Sequence, residues 1–454
     1  MKTNSDEMHN QEMLLKKIRQ SSEVFDKLAN SYEVWVPESG WLAGRRNRDK
    51  NDSKRKNLTD WSILSFLLEI DNCHYPMADS YLQYGIDGVI RIAAETLETL
   101  KNNLQSELQD QTQLDIAYLE SLLHVWKRFR QFVADHMVLA LECAKQETSD
   151  TKKKRYEKIA KICQNLTINK PNTFCEALQL FWFTYLFRSP FGAGCIGRLD
   201  QLLYPFYKHD CEMGIWDQQE AEKMLEEMFA RMNEINTGDT LRNLMLSGQD
   251  AKENDQTNEI TYLILVAYEN TGGSEPHLNV RFHEKTPKKL RDNCINMLSS
   301  GSGQPTIYFD EAVLPAMEKA GICHEDACQY ANDGCTETVI AGKSAIVFWQ
   351  YEMVKTVELT LFGGNENPCV KPVSMKKNSI HGADFVPKTN LLIGIESKKP
   401  QELTTFSEFL SAFFEQMDHQ LDHYFLMIKQ KMQEDQTVSI TSPFTAGTFE
   451  KCLR

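Results

Sequence analysis

The sequence has no Cys-x-x-Cys pair, no long apolar run and almost no concentrated positive charge. Its twelve cysteines stand scattered at positions 73, 143, 163, 175, 195, 211, 294, 323, 328, 335, 369 and 452. Without paired spacing or an export signal they are expected to be reduced thiols, not a disulfide framework. The opening stretch, Met1 to Met13, lacks the apolar centre of a signal peptide, and no later segment approaches the ~20 apolar residues of a membrane span. A cytoplasmic protein with no membrane partner is expected. Sixty-four acidic residues against 50 basic ones leave a net charge of −14, and the one dense basic run, Lys152 to Arg155, lies in a helical stretch and reads as a solvated face. A nucleic-acid partner is therefore disfavoured. Internal repeats and low-complexity tracts are also lacking.

What is present suits a large core: 454 residues, 41% hydrophobic and 10% aromatic. Residues 1–70 are polar and mixed, and form an N-terminal lead-in in which Trp35 to Trp41 and the charged stretch Arg45 to Arg55 read as an exposed loop. From Tyr81 to Ile168 apolar residues recur at helical spacing, as in Val89, Ala93, Leu97 and Leu100. Pro171 precedes a nearly continuous apolar segment, Phe174 to Phe187, which reads as a buried helix. Asp217 and Glu220 have capping-box spacing, and Thr286-Pro287 opens another helix. Between the helices, His277 to His283 alternates, with Leu278, Val280 and Phe282 on one face, and predicts a strand. A second strand, Thr306 to Asp310, follows the turn Gly301 to Pro305 and leads into a helix over Glu311 to Lys319. This alternation predicts an α/β core wrapped by helices.

Cys335 lies between two carboxyl residues, Asp333 and Glu337, in a segment running from Tyr330 to Thr338 that reads as a loop. If that loop is extended, residues two apart face the same space, so the Cys335 sulfur and the Glu337 carboxylate share one site. Their negative neighbours disfavour a thiolate nucleophile, because like charge raises a thiol pKa. Hydrogen-atom chemistry at a neutral thiol, with the carboxylate moving a proton, fits better. A buried cysteine beside a surface glutamate is the bland alternative. A metal hydrolase is another reading, from His419-x-x-x-His423 with Asp418 or Asp422 on one helix face. Gln420 stands where a zincin needs glutamate, and an exposed amphipathic helix accounts for the same spacing.

Gly334-Cys335-Thr336-Glu337 resembles the cysteine loop of glycyl radical enzymes of the pyruvate formate-lyase superfamily. The likeness extends through Cys73-His74, Tyr81 to Gly88, Pro171 to Gln179, Gly197 to Gln201 with Tyr204-Pro205, and Asn243-Leu244 with Gly248. It continues through Leu278 to Arg281, Thr286-Pro287, Gly301 to Pro305 and Asp310-Glu311. The resemblance implies a helix-wrapped ten-stranded barrel of two half-barrels, with the cysteine loop threaded through the middle. It divides residues 71–454 into a helical part (71–190), a first half-barrel with the cysteine loop (191–345) and the start of a second half (346–454). Gly334 before the cysteine and Glu337 after it are similar to the dehydratase, lyase and decarboxylase branches.

By that likeness Cys335 becomes a thiyl radical that cleaves a carbon–carbon or carbon–heteroatom bond of a small-molecule substrate, and Glu337 is the base. His74 and Asp333 are candidate substrate-binding residues, with a satisfied core histidine the alternative for His74. Phe191-Gly192-Ala193 stands where diol-dehydrating relatives have Gly-His-Ser, so a glycerol- or propanediol-like substrate is not expected. Neither a metal nor a bound cofactor is expected. The glycyl radical, installed by an activase using S-adenosylmethionine and an iron–sulfur cluster, is expected from a missing segment or a second chain. None of the glycines after Cys335 lies in a radical-loop sequence. The expectation is accordingly a truncated product or one part of a split enzyme, with the second half-barrel incomplete; a degenerate barrel protein that only binds is the alternative. The intact family is expected to be homo-oligomeric.

Overall fold

A computed structural model of the chain describes residues 4–45, 80–102, 110–188, 194–215, 217–234, 242–272, 275–334, 337–341, 343–344, 353–365, 394–398 and 400–435. The chain divides into two units, Met1–Ile346 with Ile440–Arg454, and Val347–Ser439.

The first unit opens with a helical layer: α1 (Asn4–Ser31), α2 (Ser80–Asn102), α3 (Asp110–Gln146), α4 (Asp150–Ile168) and α5 (Phe174–Arg188). The apolar run of α5 is buried almost throughout, as its sequence predicts. Thr173 and Glu176 cap its start reciprocally, the Thr173 hydroxyl accepting from the Glu176 N–H and the Glu176 carboxylate from the Thr173 N–H, each at 3.3 Å. Phe187, near its end, packs against Phe25 and Tyr32 from the N-terminal region at 4.9 and 5.0 Å between ring centres, and against Phe132 of α3 at 4.8 Å. Phe25, Leu28 and Tyr32 are thus core residues. Trp35 to Arg45 is likewise tied down: Gln179 of α5 donates to the Ala43 carbonyl and accepts from its N–H, and the Trp182 indole donates to the Gly44 carbonyl.

Four parallel strands follow in sequential order: β1 (Gly194–Gly197), β2 (Arg242–Ser247), β3 (His277–Phe282) and β4 (Thr306–Phe309). Helices α6 (Leu199–Met213) and α7 (Gln218–Asn233) connect β1 to β2, α8 (Glu259–Thr271) connects β2 to β3, and α9 (Lys288–Ser299) connects β3 to β4. The box opening α7 is formed by Asp217 and Glu220 as the spacing predicts. Strand alternation gives the sheet two faces. Ile196, Leu244, Leu246, Leu278 and Val280 join the main core with the helices, while Cys195, Met245 and Tyr308 join a second, smaller one. Beyond β4 come α10 (Asp310–Lys319), α11 (His324–Ala327) and an antiparallel pair, β5 (Ala331–Asp333) and β6 (Glu337–Val339).

The second unit contains α12 (Met353–Leu361) and α13 (Phe406–Asp435), joined by a 2.9 Å hydrogen bond between Thr356 and Gln420. Gln420 therefore has a packing role. His419 and His423 lie on α13, and among the described residues no group of three metal-binding side chains comes together. Nor, among them, is any helix long and apolar enough to cross a membrane.

Candidate active site

The segment read from sequence as a loop is a hairpin. Ala331 pairs with Val339, Asn332 with Thr338 and Asp333 with Glu337, so the two strands flank Cys335 in the sequence. Opposite residues of an antiparallel pair project to the same side, which puts the Asp333 and Glu337 side chains on one face. Asp333 is fully buried and Glu337 half-buried. Cys335 and His74 lie outside the described residues, as does 191–193.

The polar face of the parallel sheet carries this hairpin. The Cys195 thiol of β1 donates to the Asn332 carbonyl at 2.9 Å. From β2, the Asn243 amide donates to the Gly334 carbonyl at 2.9 Å, and Asn243 itself accepts from the Asn279 amide of β3 at 2.9 Å. These contacts join three adjacent strands to the backbone on one side of the turn. Tyr308 of β4 faces the same small core, where burial chiefly, and the Glu337 charge secondarily, push its phenol pKa up.

The approach to the hairpin is held by two buried arginines. Arg281 of β3 pairs with Asp310 through two 2.8 Å bonds, both side chains fully buried. Its guanidinium lies 4.1 Å from the centre of the Tyr330 ring and donates to the Cys328 and Tyr330 carbonyls at 2.9 and 3.4 Å. The Tyr330 hydroxyl closes the cluster on Asp310 at 3.0 Å, and burial pushes its pKa up. Arg198 reaches the same Cys328 carbonyl at 3.3 Å and the Ser247 carbonyl at 2.9 Å. Burial first, and then the like charge of Arg281, lower its pKa to about 10. Asp200 accepts from the Ser247 N–H and the Thr261 hydroxyl, each at 2.8 Å, tying β2 to α8. Planar forks of this kind fix carbonyl positions because several donors act from one rigid group.

Sequence reasoning singles out the turn and its two carboxyl residues, and the structure brings Asp333 and Glu337 together. It gives no role to Arg198, Asn243, Asn279, Arg281 or Asp310, although each lies in or beside a family-like segment. Their available signal is alternation: Asn279 and Arg281 occupy the polar positions between Leu278, Val280 and Phe282.

A family model described as pyruvate formate lyase-like matches residues 72–441. The trans-4-hydroxy-L-proline dehydratase of Clostridioides difficile is 31% identical over 301 residues, covering 62% of this chain and 36% of the relative. The 4-hydroxyphenylacetate decarboxylase glycyl radical subunit of Clostridium scatologenes is 27% identical over 292 residues, covering 60% and 32%. The chain thus spans about a third of the length of these curated relatives. Among solved structures, the glycerol-bound B12-independent glycerol dehydratase from Clostridium butyricum superposes with a TM-score of 0.73 at 21% identity, covering 97% of this chain and 62% of that one, a likeness of fold. With the family model spanning most of its length, the chain belongs to the pyruvate formate lyase-like family, within the glycyl radical enzyme superfamily.

Proposed function

We propose that this chain carries the thiyl-radical centre of a glycyl-radical-type lyase, with Cys335 as the hydrogen-abstracting group and Glu337 as the base. The observation that supports the reading is the antiparallel pair on either side of Cys335 in the sequence, which sets Asp333 opposite Glu337 and is bonded through the Asn332 and Gly334 carbonyls to the polar face of a parallel sheet. A glycyl radical, placed by an activase that uses S-adenosylmethionine and an iron–sulfur cluster, would supply the unpaired electron when present, and Cys335 would be the residue that passes its thiol hydrogen atom to it. Cys335 then takes a hydrogen atom from a substrate carbon, re-forming its S–H bond and leaving the unpaired electron on that carbon. Glu337 accepts a proton from the hydroxyl or amine group on that carbon, the bond from the adjacent carbon to the leaving group breaks, a departing hydroxyl taking up the proton as water, and the product radical recovers a hydrogen atom from Cys335.

Asp333 faces the same side as Glu337 and is proposed to contact substrate, with His74 as a second contact. The substrate is a small molecule with a hydroxyl beside the abstracted hydrogen, and trans-4-hydroxy-L-proline is the first probe because the dehydratase acting on it is 31% identical. The working assembly includes the activase and a glycyl-bearing segment or chain. In that assembly, under anaerobic conditions, Glu337→Gln should lower product formation about 10²- to 10⁴-fold, the usual worth of a general base. Cys335→Ala should give no product. Turnover by Cys335→Ala would remove the thiyl mechanism.

A further inference from the structure

Two amides on the polar face of the sheet have their orientations fixed by the backbone they serve. The Gly334 carbonyl only accepts hydrogen bonds, so the Asn243 group facing it at 2.9 Å must be the NH₂. That leaves the Asn243 oxygen facing β3, where Asn279 must in turn present its NH₂, at 2.9 Å. Both side chains are nearly fully buried, at 4% and 3% exposure, and both lie on the face that carries the hairpin. Gly334 immediately precedes Cys335 and has a positive φ of 33°. Its carbonyl is therefore the acceptor by which the sheet holds the end of β5.

We propose that Asn279 and Asn243 form a directional amide relay that fixes the Gly334 carbonyl, at the end of β5 and one residue before Cys335 in the sequence. They are positioning residues. The inference rests on the proposed role of Cys335 for its functional meaning, but the geometry is testable without turnover. If Asn279 can no longer donate, Asn243 loses the partner that holds its oxygen away from Gly334. If Asn279 is replaced by a group that only accepts, the Asn243 amide is drawn around, and its oxygen meets the Gly334 carbonyl. A carboxylate at position 279 is therefore worse than no side chain at all, although aspartate is the closer match in shape.

The test is amide hydrogen exchange of the full chain, comparing the peptide covering residues 331–339 with α4 as a reference for global opening. Asn279→Ala should speed exchange in the hairpin peptide about three- to tenfold, the effect of losing one neutral hydrogen bond. Asn279→Asp should speed it further, by at least about tenfold, with α4 unchanged in both variants. A pH profile separates the relay from simple packing. Once protonated, the introduced carboxyl can donate to Asn243 again, so lowering the pH should return the Asn279→Asp hairpin toward wild-type protection after correction for intrinsic rates. The native titratable and charged groups on the surrounding strands are Cys195, Arg242, His277, Arg281, Tyr308, Asp333 and Glu337; they occur in wild type, whose own profile is the baseline. Equal exchange in the aspartate and alanine variants, an aspartate effect that does not recover at low pH, or parallel loosening of α4 would each overturn the relay. An inactive but correctly protected Cys335→Ala chain leaves the relay standing, so failure of one idea is separable from failure of the other.

Discussion

Arg281 is the residue through which most of the site's framework passes, since it bonds Asp310, supports the Tyr330 ring and holds two carbonyls ahead of the hairpin. Removing one partner of a fully buried ion pair leaves the other charge without compensation, which typically costs about 3–5 kcal/mol. Arg281→Met should therefore lose about that much in denaturant unfolding, and adding Asp310→Leu should recover part of it. A loss below about 1 kcal/mol in the single variant would mean that the pair is not held as described. Gly248 belongs to the same cluster: its φ is +96°, and a Cβ there would meet the Arg281 guanidinium at 2.4 Å. The helical layer has its own sensitive residue in His136, fully buried, with Nδ1 donating to the Phe132 carbonyl at 2.8 Å. Burial lowers its pKa to about 4 from an ordinary 6.5, so the folded chain holds it neutral. Its contribution is complete above pH 6.5 and is lost as the pH falls towards 4, about 3 kcal/mol in all. His136→Gln should flatten the pH dependence of unfolding between pH 6.5 and 4, whereas an unchanged slope would assign that dependence to other groups.

At the scale of elements, legibility followed length and period. α5 and β3 were readable because fourteen apolar-rich residues and a clean alternation leave little choice of structure. The α7 start was equally plain, and Asp217→Ala should cost about 1 kcal/mol in thermal or denaturant unfolding, because it strands an exposed helix-end N–H. No measurable loss would mean that solvent replaces the cap at no cost. The hairpin was not legible: strands of three residues carry too little pattern to separate from a loop, and their order comes from β1, β2 and the arginine clamp. α1 was missed for a different reason. Its buried apolar residues form a narrow stripe that includes Ile18, Phe25 and Leu28, within a polar composition that averages the stripe away. The clamp and the amide relay were invisible because their partners are far apart in sequence, as with Arg281 and Cys328 or Asn243 and Gly334.

On the scale of the whole molecule, the parallel sheet of the first unit turns one face to the helices and uses the other to hold the backbone of β5 and Gly334 through polar contacts. The two faces divide the labour: Leu244, Leu246, Leu278 and Val280 supply the packing, while Cys195, Asn243, Asn279 and Arg281 fix the hairpin's backbone. The central claim is that Cys335 exchanges a hydrogen atom with substrate carbon while Glu337 moves only a proton. It is tested most directly by deuterium incorporation into unreacted substrate, measured by mass spectrometry, after anaerobic incubation in D₂O with the activase and glycyl-bearing component present. The thiol exchanges its proton with solvent, so a Glu337→Gln variant that abstracts and returns hydrogen atoms should place deuterium on the substrate carbon even as product formation collapses. Cys335→Ala should place none. Deuterium in the Cys335→Ala sample, or its absence from the Glu337→Gln sample, would contradict the division of roles.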